Sequence, residues 1–294
     1  MSSLYTHQDE NIRQTYLLFG AFMVLVTAIG WFFSYLYGNS TFLYLAVGLS
    51  LGLNFFSYWY SDKVVLSLTR AHLADPVIDQ GLIRVVENLA ITAGLPTPKV
   101  YVVDDPAPNA FATGRDKEHA VVAATTGLLA MLDHTELEGV IAHELSHVGN
   151  RDILISTVAV VLAGCISILA DIFLRSARFG GRSRDNEKGN GPLFLVGIVI
   201  ALFAPLFATL MRLAISRKRE FLADASGALL TRYPEGLARA LEKIGAYARP
   251  MIAPSSATAH LFFSNPFGAG KRSFTTLFMT HPPIEERIKA LRGE

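Results

Sequence analysis

Hydrophobic and polar positions alternate along this chain in long blocks, and four of the blocks are apolar. The first two, Tyr16 to Tyr37 and Thr41 to Tyr60, contain no charged residue. At about twenty residues each, they are long enough for a helix to cross a hydrocarbon core of roughly 30 Å. Aromatic residues crowd their ends: Trp31, Phe32, Phe33, Tyr35 and Tyr37, then Tyr58, Trp59 and Tyr60. Such clusters suit the two membrane–water interfaces. Only Gly38, Asn39 and Ser40 separate the runs, so the pattern predicts a tight helical hairpin in the membrane rather than one buried in a soluble core.

The third and fourth runs are Ile153 to Leu174 and Pro192 to Met211. Asp171 and Pro205 interrupt them, features tolerated in membrane helices that pack against protein. Their connector carries Arg175, Arg178, Arg182, Arg184 and Lys188. Four full spans with a cytoplasmic amino terminus would put those charges outside, against the positive-inside tendency. Two placements follow: four spanning helices, or a second hairpin that is re-entrant. Either returns the chain to the side it left.

Between the runs lies less oily material, Ser61 to Asp152 and Arg212 to Glu294. Helical periodicity with a glycine stop predicts a helix from Gly81 to Gly94. The β-branched stretch Lys99 to Val103 predicts a strand closed by the turn D-D-P-A-P, and His119 to Thr126 a second strand. A helix should start at Thr135 as N-cap, with Glu138 at capping-box spacing, and continue through His147. The second piece is mainly helical. The expected architecture is an integral membrane α+β protein with four hydrophobic helices. Its divisions are 1–60, an amino-terminal membrane hairpin; 61–152, a first soluble part; 153–211, a second membrane hairpin; and 212–294, a second soluble part.

Composition agrees with a membrane protein: of 294 residues, 51% are hydrophobic and 17% charged, with a mean hydropathy of +0.35. A net charge of +1 argues against a nucleic-acid partner. The single cysteine, Cys165, rules out an internal disulfide and reads as a small packing residue in an apolar run. The polar opening M-S-S-L-Y-T-H-Q-D-E-N-I-R-Q leads into a full-length apolar run without a small-residue cleavage site, so no cleavable signal is expected.

The chemistry concentrates just before the third run. His143 and His147 are four apart on a helix, so both rings leave one face and can converge on an ion. Imidazole suits Zn²⁺, and Glu144 is placed to act on a water beside the metal. The bland alternative is a pair of surface histidines. Catalytic zinc takes three protein ligands and keeps one position open. An in-line third ligand of the H-E-x-x-H-x-x-G-x-x-H kind is absent, because Asn150 and Ile153 stand at the two defining places. The better source is S-R-K-R-E-F-L-A-D, where Glu220 and Asp224 share a helix face. Glu220 could bind the metal while Asp224 accepts a hydrogen bond from a ligand histidine. Alone, that pair would read as a solvated acidic face. It gains weight because an even number of crossings returns it to the side of His143 and His147.

Taken together, H-E-L-S-H-V-G-N-R-D, S-R-K-R-E-F-L-A-D, N-A-F-A-T-G and H-P-P-I-E-E-R-I resemble the membrane zinc endopeptidases of the bacterial HtpX type, relatives of the CAAX prenyl proteases. The resemblance covers essentially the whole chain. It implies a mainly helical, gluzincin-like zinc protease domain with a small β-sheet, split between 61–152 and 212–294. It implies one Zn²⁺ per chain held by His143, His147 and Glu220, Glu144 as catalytic base, and Asp224 behind a ligand. It also implies a multi-pass protein of the bacterial cytoplasmic (inner) membrane, with the active site toward the cytoplasm. Its substrates would be proteins, membrane proteins above all, in quality control under stress.

Asn109, Ala110, Phe111 and Ala112, in N-A-F-A-T-G, would line the cleft. They and Val121 to Ala124 could offer backbone groups to a substrate strand. His281 could stabilise the oxyanion, with Arg287 as an alternative donor; a helix-start role before the prolines is the plainer reading of His281. A CAAX-type processing protease, a non-catalytic membrane scaffold and a transporter remain as other readings.

Overall fold

The computed structural model describes residues 4–162, 217–254, 258–268 and 282–294. Helices α1 (Leu4–Tyr37) and α2 (Thr41–Thr69) form the expected hairpin, turning at Gly38 with φ +64°. Each contains a stretch long and apolar enough to cross a membrane, Asp9–Tyr37 and Thr41–Thr69, with mean hydropathies of 2.1 and 1.3. The two helices cross closely at Gly30, where an added Cβ would lie 2.2 Å from that of Ala46. Small residues at such crossings let membrane helices approach.

Both helices run on beyond their apolar runs. Polar residues before Tyr16, among them Asn11 and Thr15, are buried against the rest of the molecule. Past Tyr60, α2 continues to Thr69, and its Val65 packs with Val103, Phe111 and Phe262.

A four-stranded sheet follows: β1 (His72–Leu73), β2 (Lys99–Val103), β3 (Ala110–Thr113) and β4 (Val121–Thr125). Their order is β1-β2-β4-β3; β2 and β4 are parallel, and the other pairs antiparallel. Between β1 and β2 in the chain lies α3 (Gln80–Ala93), which ends on Gly94 with φ +65° as the glycine stop predicts. The short α4 (Thr126–Met131) follows β4.

One consequence corrects the sequence reading. Val121 to Ala124 lie inside the sheet, paired on one side to β2 and on the other to β3. Their backbone groups are therefore not free to take up another strand. In this part of the sheet the edge is the outer side of β3.

The central helix α5 (His134–Gly149) packs against β3, α3, and the helices of the second soluble part. Its N-cap is Asp133, not Thr135. Asp133 accepts from the Glu136 N–H (2.9 Å), and Glu136 accepts from the Asp133 N–H (2.9 Å). The capping box thus starts two residues earlier than predicted, and Glu136 also pairs with Lys243 at 2.6 Å. The helix does not run straight into the third apolar run. It ends at Gly149, Arg151 adopts φ 60°, and α6 (Asp152–Leu162) leaves at 84°. Leu154, Ile155, Val158, Ala159 and Leu162 of α6 pack on Leu18 and Phe22 of α1. The rest of the third run, the fourth run, Cys165 and the basic connector lie outside the described residues.

The chain resumes with α7 (Arg217–Thr231) and α8 (Pro234–Ala246), a 3₁₀ turn (Ala259–Leu261) and α9 (Ile284–Arg292). Leu237, Ala240, Leu241 and Ile244 of α8 complete the core begun by Leu82, Val85 and Leu89 of α3 and Val140, Ile141 and Leu145 of α5.

Candidate active site

The capping box starts α5 at a defined residue, and helical periodicity does the rest: positions 143 and 147 fall on one face, one turn apart. The two rings meet edge to face with centroids 4.7 Å apart, and their Nε2 atoms are 3.1 Å from each other. Glu144, between them, is 3% exposed. Its charge is close enough to raise the proton affinity of His147.

Glu220 comes from the first turn of α7. Its oxygens lie 3.8 Å from His143 Nε2 and 3.6 Å from His147 Nε2. One turn on, Asp224 Oδ1 lies 2.8 Å from His143 Nδ1. A further turn brings Gly227, whose missing side chain lets α7 close on α5; a Cβ there would lie 2.9 Å from the His143 backbone nitrogen. Glu220, Asp224 and Gly227 therefore form one helix face pressed on the two histidines. The structure thus brings both acidic residues expected at the site to the two histidines.

Behind His143 stands Arg287 of α9, 1% exposed. It grips Asp224 with two donors, Nε to Oδ2 at 2.8 Å and Nη2 to Oδ1 at 2.6 Å. Its guanidinium covers the Phe263 ring at 4.7 Å, and that ring meets His143 edge-on at 5.0 Å. Arg287 therefore sits on the Nδ1 side of His143, with Nη2 3.4 Å from that nitrogen and two donors on Asp224. That position does not suit the oxyanion donor considered for it. His281 lies outside the described residues.

A residue the sequence reading missed is Asp152. Its Oδ2 lies 3.0 Å from His147 Nδ1, so each histidine has a carboxylate behind it. Asp152 follows His147 by five residues, which is no helix repeat. Only the reversal at Arg151 and the 84° turn into α6 bring it back to the ring.

These surroundings split the two imidazoles. Burial pushes His143 down to about 4 against the bond to Asp224. Burial also acts on His147, but the Asp152 bond and the charges of Glu220, Asp152 and Glu144 outweigh it and hold the ring at about 9.

The donor set fits a zinc ion. One ligand atom from each of His143, His147 and Glu220 lies within 4.8 Å of the others. Ligands at zinc–nitrogen and zinc–oxygen distances in a tetrahedron are separated by roughly 3.3 Å. The observed 3.1, 3.6 and 3.8 Å bracket that value. With a metal bound in place of the Nε2 proton, the carboxylates at both Nδ1 atoms would leave both Nε2 atoms as the lone-pair donors.

Within N-A-F-A-T-G, Ala110–Thr113 form strand β3. Its outer edge is partly taken by the chain itself. The Ala110 carbonyl accepts from the Phe263 N–H (2.8 Å), and the Asn109 amide exchanges two bonds with the Ser264 backbone, 3.0 and 2.9 Å. Phe111 points into the core against Phe262, while Ala112 lies farther along the same edge.

Comparison with known proteins agrees. The sequence profile of Peptidase family M48 matches residues 76–294. A Protease HtpX homolog of Caldanaerobacter subterraneus subsp. tengcongensis is 49% identical over 297 residues, covering 99% of this chain and 98% of the relative. One from Tropheryma whipplei is 44% identical over 289 residues, covering 98% of each. Among solved structures, Ste24p of S. mikatae matches with a TM-score of 0.52 at 18% identity, over 98% of this chain and 67% of that one, a likeness of fold alone. The chain belongs to Peptidase family M48, among its HtpX-type membrane metalloproteases.

Proposed function

We propose that this metalloprotease is a zinc-dependent endopeptidase that cleaves misfolded or damaged membrane proteins at the cytoplasmic face of the bacterial inner membrane, as part of a stress response. In this reading 1–60 and 153–211 are membrane hairpins giving four membrane helices, and 61–152 with 212–294 forms a gluzincin-like protease domain. The convergence of His143, His147 and Glu220 on a single point carries it. These three residues hold one Zn²⁺, which when bound supplies Lewis acidity toward the scissile carbonyl and its attacking water.

The chain's own groups do the rest. Asp224 and Asp152 keep each imidazole in the tautomer that presents Nε2. Glu144, buried between the two ligands, takes the proton of the attacking water on its carboxylate and passes it to the leaving amine. The remaining edge of β3 around Ala112 offers backbone groups to an extended peptide. His281 is kept as the candidate oxyanion donor.

The test is zinc analysis combined with cleavage of an unfolded membrane protein in detergent. Glu144→Gln should retain one zinc per chain and lose at least 100-fold in cleavage rate, the scale of general-base loss. Glu220→Ala should lose the zinc. A fully active Glu144→Gln variant would refute the assignment.

A further inference from the structure

The first membrane helix reaches the metal pocket. Asn11 lies five residues before the apolar run, about 7 Å along the helix axis at 1.5 Å per residue. It is 3% exposed. Its amide nitrogen donates to Asp152 Oδ1 at 2.5 Å and to the Asn150 carbonyl at 2.9 Å. The other Asp152 oxygen faces His147 Nδ1 at 3.0 Å. A second link runs beside it: Gln14 of α1 accepts from Arg219, the neighbour of Glu220, and Arg219 Nε lies 3.6 Å from Asp152 Oδ1.

The bond inventory of Asp152 shows what Asn11 does there. One oxygen is given to the histidine. The other receives an uncharged donor from α1 beside the charge of Arg219. Asn11 also holds the Asn150 carbonyl, in the reversal that joins α5 to α6. A single amide thus fixes both the carboxylate and the backbone turn that carries it. Buried carboxylates are held in place by the donors on their lone pairs, and the groups behind metal-binding histidines set ring orientation and basicity.

We propose that Asn11 is a positioning residue of the metal centre. Acting through Asp152, it sets the orientation of His147, so that zinc affinity depends on this one amide of the first membrane helix. This rests on the reading of His147 as a zinc ligand.

The experiment titrates zinc into the metal-free full-length chain in detergent micelles against a competing chelator. Loss of a group behind a metal ligand typically weakens metal binding 10- to 100-fold, and Asn11→Leu should fall in that range. Asp152→Asn should do the same. Because the two act in series, Asn11→Leu added to Asp152→Asn should cost less than twofold more, where independent sites would multiply. Phe22→Ala serves as a packing control, since Phe22 belongs to the apolar cluster that joins α1 to α6. It should lower thermal stability and leave zinc affinity within twofold of wild type. Should Asn11→Leu fail to fold, Asn11→Ala in the same cycle gives the same reading. Wild-type affinity in both Asn11 variants, a full multiplicative loss in the double variant, or equal weakening by Phe22→Ala would each overturn the proposal. If Glu220→Ala binds zinc like wild type, the metal-site reading fails first and takes this one with it.

Discussion

Both histidines present Nε2 to the pocket because a buried carboxylate stands behind each Nδ1, but the two carboxylates are supported differently. Asp152 is held by an amide and a more distant arginine, Asp224 by a bidentate arginine. Burial pushes the Asp224 carboxyl up, and the hydrogen bonds and charges of Arg287 and His143 outweigh it, so the carboxyl sits below its ordinary range. A depressed carboxyl stabilises the fold above its unfolded value of about 3.9 and gives that up as pH falls through the lower folded value. Arg287→Met removes the partner and leaves the charge buried. Breaking such a pair costs about 3–5 kcal/mol. The variant should unfold at lower denaturant concentration at pH 7, and its acid unfolding midpoint should move to higher pH, both measurable by circular dichroism. An unchanged acid midpoint would mean that Arg287 does not govern Asp224. Helical spacing made His143, Glu144 and His147 legible in the sequence, whereas Glu220 and Asp224 needed the chain's return to the same side and the family resemblance to stand out from a solvated acidic face. Asp152 and the position of Arg287 were not legible, since one depends on a chain reversal and the other on which side of a ring a distant helix packs.

The helices bring the ligands together through one crossing, that of α5 with α7, and Gly227 lies at a tight point of it. A Cβ there would lie 2.9 Å from the His143 nitrogen and 3.2 Å from the Ala142 carbonyl carbon, backbone atoms with no flexible side chain to yield. Gly227→Ala should therefore push α7 outward and carry Glu220 and Asp224 away from the histidines. Overpacking costs about 1–3 kcal/mol, against up to ~1 kcal/mol regained in helix propensity. A net loss of about 1 kcal/mol is expected in denaturant unfolding of the metal-free chain, with a several-fold weaker zinc affinity. Gly81→Ala in α3, where a Cβ would meet nothing within 4 Å, should leave zinc affinity unchanged. Equal zinc affinities in the two variants would show that the crossing has slack. Among the elements, α3 and β2 were readable from periodicity and punctuation. The strand β3 was not: A-F-A-T is short and rich in small residues, and it is extended because β4 pairs with it. The start of α5 was misplaced because Asp133 and Thr135 both head capping-box spacings, and Asp133 wins with Glu136 also fixed by Lys243.

At the scale of the whole molecule, the membrane hairpin and the protease are one packed body. Apolar runs told where a bilayer could lie, but not that both helices continue into the protease, because the extra turns carry charged residues such as Asp9, Glu10, Asp62 and Lys63 and owe their burial to partners far along the chain. The place where the two parts meet is marked by Trp59. The Arg115 guanidinium, from the turn between β3 and β4, lies 4.7 Å over its ring. The chain has 2 tryptophans, Trp31 and Trp59, both in the hairpin and both with exposed rings, 61% and 43%. Fluorescence therefore reports on the hairpin alone. In vesicles, lipids brominated along the acyl chain should quench both residues, as expected for rings in an interfacial belt. Trp31→Phe isolates Trp59, whose emission should be quenched most by bromines near the headgroups, since Arg115 ties that ring to the water-facing protease. Arg115→Ala should release this constraint and broaden the depth profile without abolishing quenching. Emission insensitive to every brominated lipid would place the hairpin outside the bilayer and remove the anchor from the proposed function. Quenching that is strongest at the bilayer centre would instead sink Trp59 too deep for a protease seated at the surface.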